Sequence, residues 1–453
     1  MRGGRGVMGS ALQSTPTGLR AALANGAYLA VTKGYYLLLR GMYIAVFVHL
    51  IGVELYGYYT YAQNWYVLFM PLAMWGMNEL LISEHVRTDP TRRAALIGSG
   101  LALRLLLGTL CCLGIIASAA LFEDQPGLRL LVIVYSQGVL ARSLTGWFSA
   151  LFVAHNRSLY WLYISVFFTT VEVVAALSLA SAGAALLSIA LCQCAVWWCK
   201  LAVAWRVYHN RFHRIGLRWN TRFLRFYLRS GAALGCATFL LVCMTPGLLV
   251  FYRHLADDLR LIGEVAIVLQ LFQIIDQMIM LVSNAALPEI NRASGAAPAN
   301  LARFLRIGWN GAFLCGGAVS VLCMLLVPQL IALLPPNKFD QPMLLFARFS
   351  WIIIPLCSLH SFRLALISTG RIRRFLGVMI SGPAALLALI LTLHALDKLT
   401  THSLFAALGA SFTLISLLLL GALKPLAQTL RWRDLLAAPV LGGAAIVLVA
   451  WAA

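Results

Sequence analysis

Apolar residues run along this chain in long blocks, not in the alternation of a strand or the narrow stripe of a surface helix. A helix of about 20 mostly apolar residues spans the roughly 30 Å hydrocarbon core of a bilayer. Thirteen such helices are predicted, at 27–52, 56–83, 94–121, 127–154, 159–181, 183–207, 226–252, 260–287, 303–334, 341–368, 374–396, 402–424 and 434–453. The break between the fifth and sixth, at Ser181–Ala184, is the least marked.

The blocks divide the chain into an N-terminal segment 1–26, a six-helix lobe 27–207, a basic loop 208–225, a second lobe 226–424, and a basic loop with an extra helix, 425–453. Around the central loop stand Arg206, Arg211, Arg214, Arg218, Arg222, Arg225 and Arg229, with no acid among them. Long apolar runs on both sides argue against a nucleic-acid partner. A loop held on the cytoplasmic side by the positive-inside rule fits better. The two halves are related by a constant offset, which maps Gly57 on Gly263, Asn64 on Gln270, Met74 on Met280 and Asn78 on Asn284.

The composition agrees: 61% hydrophobic, 11% charged and a mean hydropathy of +0.85 exclude a soluble domain. The net charge of +20 then reflects topology. With a cytoplasmic N-terminus, outer segments hold only Arg129, Arg253, Arg260, Lys338 and Lys398, while Glu123, Asp124, Asp257 and Asp258 all fall outside. The first apolar segment is long and carries Lys33 and Arg40, unlike a cleaved signal peptide. The ten cysteines lie in apolar runs, and Cys192, Cys194 and Cys199 lack a histidine at zinc spacing, so they read as packing residues.

Candidate chemistry begins with cations inside the predicted helices: Lys33, Arg40, Arg104, Arg142, Lys200, Arg348 and Arg363. Such a charge is expensive unless it faces a partner or a wet cavity. Lys200 and Arg363 stand near helix ends and can snorkel. Lys33 and Arg40 are two turns apart on one face with Tyr36 between them. Arg104 and Arg142 can pair with Glu54, Glu79 or Glu172. The eighth helix carries Gln270, Gln273, Gln277 and Asn284 at helical spacing, with Asp276 beside them; Asn64 and Asn78 are their repeat partners in the second. A polar stripe repeated in both halves is expected to line a shared passage. Tyr58, Tyr61 and Trp65 share a face of the second helix, as an interfacial belt or a stacking surface for sugar rings.

Ile51-Gly52-Val53-Glu54-Leu55-Tyr56-Gly57-Tyr58-Tyr59 resembles the G-x-x-x-Y-G-x-Y signature of Wzx-type polysaccharide flippases, members of the multidrug/oligosaccharidyl-lipid/polysaccharide (MOP) exporter superfamily. Ala285-Ala286-Leu287-Pro288-Glu289-Ile290-Asn291-Arg292 resembles their l-x-P-x-x-x-R ending, and Glu84-His85-Val86-Arg87 closes the second helix at the equivalent place. The resemblance implies an all-α polytopic membrane protein of 12–14 helices, two six-helix lobes and a cationic central cavity. It implies a bacterial inner-membrane flippase, not an enzyme, carrying undecaprenyl-pyrophosphate-linked oligosaccharide to the periplasmic leaflet. Lys33, Arg40, Arg104 and Arg142 would hold the pyrophosphate. Tyr36, Asn64, Asn78, Gln270, Gln273, Gln277, Asn284, Tyr58, Tyr61 and Trp65 would face the sugar. No cofactor is expected; coupling to Na+, H+ or membrane potential would use Asp276, Glu79 or Glu172. The protein would act as a monomer beside a polymerase and a chain-length regulator. A drug or cation antiporter of the same superfamily is the first alternative, weakened by the excess of cations. A membrane polymerase or ligase is the second, weakened by the short outer loops.

Overall fold

The computed structural model of the protein describes residues 16–212, 215–255, 259–285, 298–333, 340–368 and 372–423. Every regular element described is helical. The N-terminal lobe holds α1 (Pro16–Ile51), α2 (Val53–Met74), α3 (Met77–Arg87), α4 (Pro90–Phe122), α5 (Pro126–Ala154), α6 (Ser158–Ser181) and α7 (Leu186–Arg211). The C-terminal lobe holds α8 (Thr221–Cys243), α9 (Pro246–Arg253), α10 (Leu259–Ala285), α11 (Pro298–Leu333), α12 (Asp340–Phe349), α13 (Ile353–Ser368), α14 (Ile372–Ala395) and α15 (Thr401–Leu423). Among the described residues, twelve helical stretches are long and apolar enough to cross a membrane. The thirteenth predicted helix, 434–453, lies outside the described residues.

Local chemistry sets where the helices begin. Pro90, Pro126 and Pro246 take the first turn, where a missing N–H costs nothing. Asn220 caps α8, its side chain accepting from the backbone N–H groups of Arg222 and Phe223. Gly52 joins α1 to α2 at φ 86°, ψ 164°, a region open essentially to glycine alone. The expected break at 181–184 is present, with Gly183 at φ 71°. The first helix starts at Pro16, ahead of the expected residue 27.

Three predicted continuous helices are interrupted. The second breaks at Trp75 (φ 48°) and Gly76 (φ 64°), both left-handed, which separates α2 from α3. The seventh breaks at Met244–Thr245, before Pro246. The tenth passes through a 3-10 turn at Ser350–Ile352. A hydropathy pattern carries the span but not the backbone angles within it.

The lobes meet where α1, α2 and α3 face α8, α9 and α10. Helices approach closely in a bilayer where their side chains are small. Gly231 and Gly235 of α8 lie against Trp75, and a Cβ added at Gly231 would sit 2.1 Å from the Trp75 carbonyl oxygen. At the other end of α2, a Cβ on Gly263 would sit 2.2 Å from the Val53 carbonyl oxygen. Val53 and Trp75 bound the whole length of α2, roughly 33 Å at 1.5 Å per residue. The lobes are thus clamped at both ends of α2, and the principal cavity lies between the clamps.

Candidate functional site

The cavity holds about 560 Å³. Its walls come from α1, α2, α5, α6 and α7, and α10 of the opposite lobe closes it. The N-terminal lobe therefore supplies most of the surface. Four cations reach it: Lys33 and Arg40 from α1, Arg142 from α5 and Lys200 from α7. Among the described residues, Glu172 of α6 is the one carboxylate on the wall.

Aromatic faces hold these cations. Lys33 Nζ lies 5.3 Å from the Tyr36 ring centre, and the Arg40 guanidinium 5.7 Å from that of Tyr43. Arg142 stands between Tyr66 and Trp197, at 5.5 and 5.1 Å, and Lys200 Nζ is 5.0 Å from Trp161. The negative faces of the rings lower the cost of removing such charges from water without neutralising them. Arg142 also donates to the Tyr66 hydroxyl at 2.9 Å. Two of the cations reach across to α10 of the opposite lobe: Lys33 Nζ donates to Gln277 Oε1 at 2.5 Å, and Arg40 approaches Gln270 Oε1 at 3.4 Å.

Behind the cations, Tyr43, Tyr59, Tyr135, Gln63 and Gln193 form a buried hydrogen-bonded network that fixes the α2 wall. Two amide donors of the cavity wall, Asn64 Nδ2 and Gln273 Nε2, are buried without a partner. An unsatisfied donor beside unneutralised cations suits a polar, anionic occupant.

Several expected site residues take their places here: Lys33, Tyr36, Arg40, Asn64, Arg142, Glu172, Gln270, Gln273 and Gln277. The side chain of Asn284 lies outside the described residues. Others are elsewhere. Arg104 is fully buried and does not line the cavity. It donates to Asn78 Oδ1 (2.8 Å) and to the carbonyls of Ser143 (3.0 Å) and Met74 (3.1 Å). The Met74 carbonyl belongs to the last turn of α2, where no helical partner remains. Arg104, with Asn78, therefore caps the break between α2 and α3. Glu79 is exposed on α3. Asp276 turns from the cavity into the C-terminal lobe, where His360 Nε2 meets its Oδ1 at 2.6 Å.

The sugar-stacking face of the second helix is also corrected. Tyr58 and Tyr61 donate to Gln125 and Glu123 at the α4–α5 turn, each at 3.0 Å, and Trp65 packs on Tyr61 and Phe69. None of the three lines the cavity. The aromatics that do are Tyr35, Tyr36, Tyr66, Trp161 and Trp197. Lys200, expected to snorkel, instead faces the cavity over Trp161. The spacing of Trp197 and Lys200, one turn apart on α7, was the available signal.

The architecture matches known transporters. The chain aligns with a lipid II flippase, MurJ, in an inward closed conformation, over 94% of this chain and 97% of that one, at TM-score 0.66 and 10% identity. For the MATE multidrug transporter DinF-BH in complex with R6G, the values are 90%, 96%, 0.61 and 13%. For the eukaryotic MATE transporter AtDTX14 they are 92%, 97%, 0.53 and 13%. At these identities the likeness establishes the fold alone, one this chain shares with those flippase and transporter structures. No protein-family model and no curated protein matches the sequence.

Proposed function

We propose that this protein is a flippase for a lipid-linked glycan, moving an undecaprenyl-pyrophosphate oligosaccharide from the cytoplasmic to the periplasmic leaflet of a bacterial inner membrane. The observation that carries the reading is the convergence of Lys33, Arg40, Arg142 and Lys200 on one cavity that, among the described residues, offers only Glu172 in return. A pyrophosphate supplies the missing negative charge through charge-assisted hydrogen bonds, with the arginine forks suited to bidentate contact. Asn64, Gln270 and Gln273 and the rings of Trp161 and Trp197 then offer donors, acceptors and faces to the first sugars. Sugars and phosphates cannot cross hydrocarbon unaided, because their polar groups would go unsatisfied there. A cavity between two repeats solves this by rocking, open to one side and then the other. The fold shared with a lipid II flippase supports the same reading. The basic central loop supports an N-terminus on the cytoplasmic side.

The test is binding of an undecaprenyl-pyrophosphate oligosaccharide to the purified protein. Inorganic pyrophosphate should compete and a cationic dye should not. Loss of one charged hydrogen bond is worth about 1.5–3 kcal/mol, so Arg40→Ala or Arg142→Ala should weaken binding roughly tenfold or more. Tight binding of the dye, unchanged in both variants, would instead make the protein a cation exporter.

A further inference from the structure

The linker before α8 lies strapped along the foot of α4. The Arg218 backbone N–H approaches the Gly98 carbonyl at 3.5 Å, and the Asn220 N–H donates to Ser99 Oγ at 3.2 Å. A Cβ at Gly98 would come within 2.5 Å of the Gly216 carbonyl oxygen, so the glycine admits the strap. Between strap and helix runs a groove of about 420 Å³, lined by Ala102, Leu105, Leu106 and Thr109 of α4 and by Leu217, Arg218 and Trp219. Its walls are open: Leu217 is 61% exposed and Trp219 65%.

A row of arginines continues from the mouth of this groove. Arg222, Arg225 and Arg229 follow Arg218 at spacings of three and four residues, which places them on one side of α8. All four are exposed, and among the described residues none makes an ion pair. From Gly98, beneath the strap, to Thr109, at the far end of the groove, α4 rises roughly 16 Å. That is about half the thickness of a bilayer's hydrocarbon core, the depth of one leaflet.

We propose that this groove is a binding site for an anionic phospholipid. One acyl chain lies along Ala102, Leu105, Leu106 and Thr109, with Trp219 at the interface, and the phosphodiester sits between Arg218 and Arg222. The charge is complementary, since an anionic headgroup supplies what this arginine row lacks. The apolar length matches an acyl chain in the leaflet the strap borders. The site is separate from the central cavity, so it stands or falls independently of the transported substrate.

Lipid binding to the full-length protein in detergent, read by native mass spectrometry, tests this. Wild type should bind phosphatidylglycerol in preference to phosphatidylcholine. The double variant R218Q/R222Q should bind phosphatidylglycerol about thirtyfold more weakly, equivalent to about 2 kcal/mol for two interfacial arginines. Leu106→Trp, which fills the groove and leaves every charge in place, should also lose the lipid. R306Q/R374Q, the same charge change at two other exposed arginines, should keep it. Equal binding of both lipids by wild type, or undiminished phosphatidylglycerol binding in R218Q/R222Q, would overturn the proposal. So would an equal loss in R306Q/R374Q, which marks diffuse attraction only. Should R218Q/R222Q fail to fold, retention of the lipid by Leu106→Trp is decisive against the site.

Discussion

The ammonium of Lys33 on α1 donates to Oε1 of Gln277 on α10 at 2.5 Å, across the boundary between the lobes. This bond holds a cavity cation with a neutral acceptor, so the charge stays available to an anion. Gln277→Glu would give Lys33 a permanent counter-ion and place a carboxylate beside the ligand. Pyrophosphate-lipid affinity should fall roughly tenfold or more. Gln277→Leu removes the acceptor without adding charge, and affinity should hold or rise. Isothermal titration on the two variants separates these outcomes; equal affinities would remove Lys33 from the headgroup site.

Arg40 stands in the cavity with only a long approach to Gln270 and the face of Tyr43. Arg40→Ala should abolish glycan export and leave protein abundance near wild type. Arg40→Lys should restore export only in part, because an ammonium lacks the planar fork. Reduced abundance of Arg40→Ala, with export restored by neutralising Glu172, would show an ion-paired packing residue instead.

Arg104 should behave in the opposite way. Its removal strands the Met74 carbonyl and the Asn78 amide oxygen and takes a second donor from the Ser143 carbonyl, at about 1–3 kcal/mol for each buried group left unsatisfied. Arg104→Ala should lower the melting temperature and the abundance, while the protein that survives binds ligand normally. Arg104→Lys should rescue poorly, since one ammonium cannot span all three acceptors. A stable Arg104→Ala variant with lost affinity would return Arg104 to the binding site.

Gly231 and Gly263 clamp the two ends of α2. Each substitution by alanine forces a Cβ onto a backbone oxygen, a contact that no rotamer change relieves. Both variants should melt at lower temperature in detergent. Gly34→Ala, where nothing lies within 4 Å of the added Cβ, should not. Because the clamps sit at opposite ends, thiol accessibility of Gln273→Cys should rise from one side in Gly231→Ala and from the other in Gly263→Ala. Identical profiles would mean that the two contacts do not gate separate sides.

Orientation is checked with single cysteines on a Cys-depleted background. An impermeant thiol reagent added outside intact cells should label Asp124→Cys and leave Asn220→Cys untouched until the membrane is opened. Labelling of Asn220→Cys from outside would invert the topology and with it the direction of transport.

Apolar blocks of bilayer length determined the membrane class and the described spans, because the cost of bare backbone in hydrocarbon leaves helices as the solution for such runs. The offset that pairs Asn64 with Gln270 is matched by the packing of α2 against α10, since a repeat places equivalent helices symmetrically. Lys33, Tyr36 and Arg40 could be grouped from helical periodicity alone, and they do share the cavity wall. Tertiary structure decided what periodicity could not. Arg104 and Arg142 look alike in sequence, each a lone cation in an apolar run. One is spent on the Met74 carbonyl freed by a helix break at Trp75–Gly76, and the other faces the cavity between Tyr66 and Trp197. Likewise Lys200 and Tyr58 differ in role only through the direction each helix face takes after packing. A side chain's cost in the membrane is set by its sequence; whether that cost is met by the protein or left for a ligand depends on neighbours that only the fold brings near.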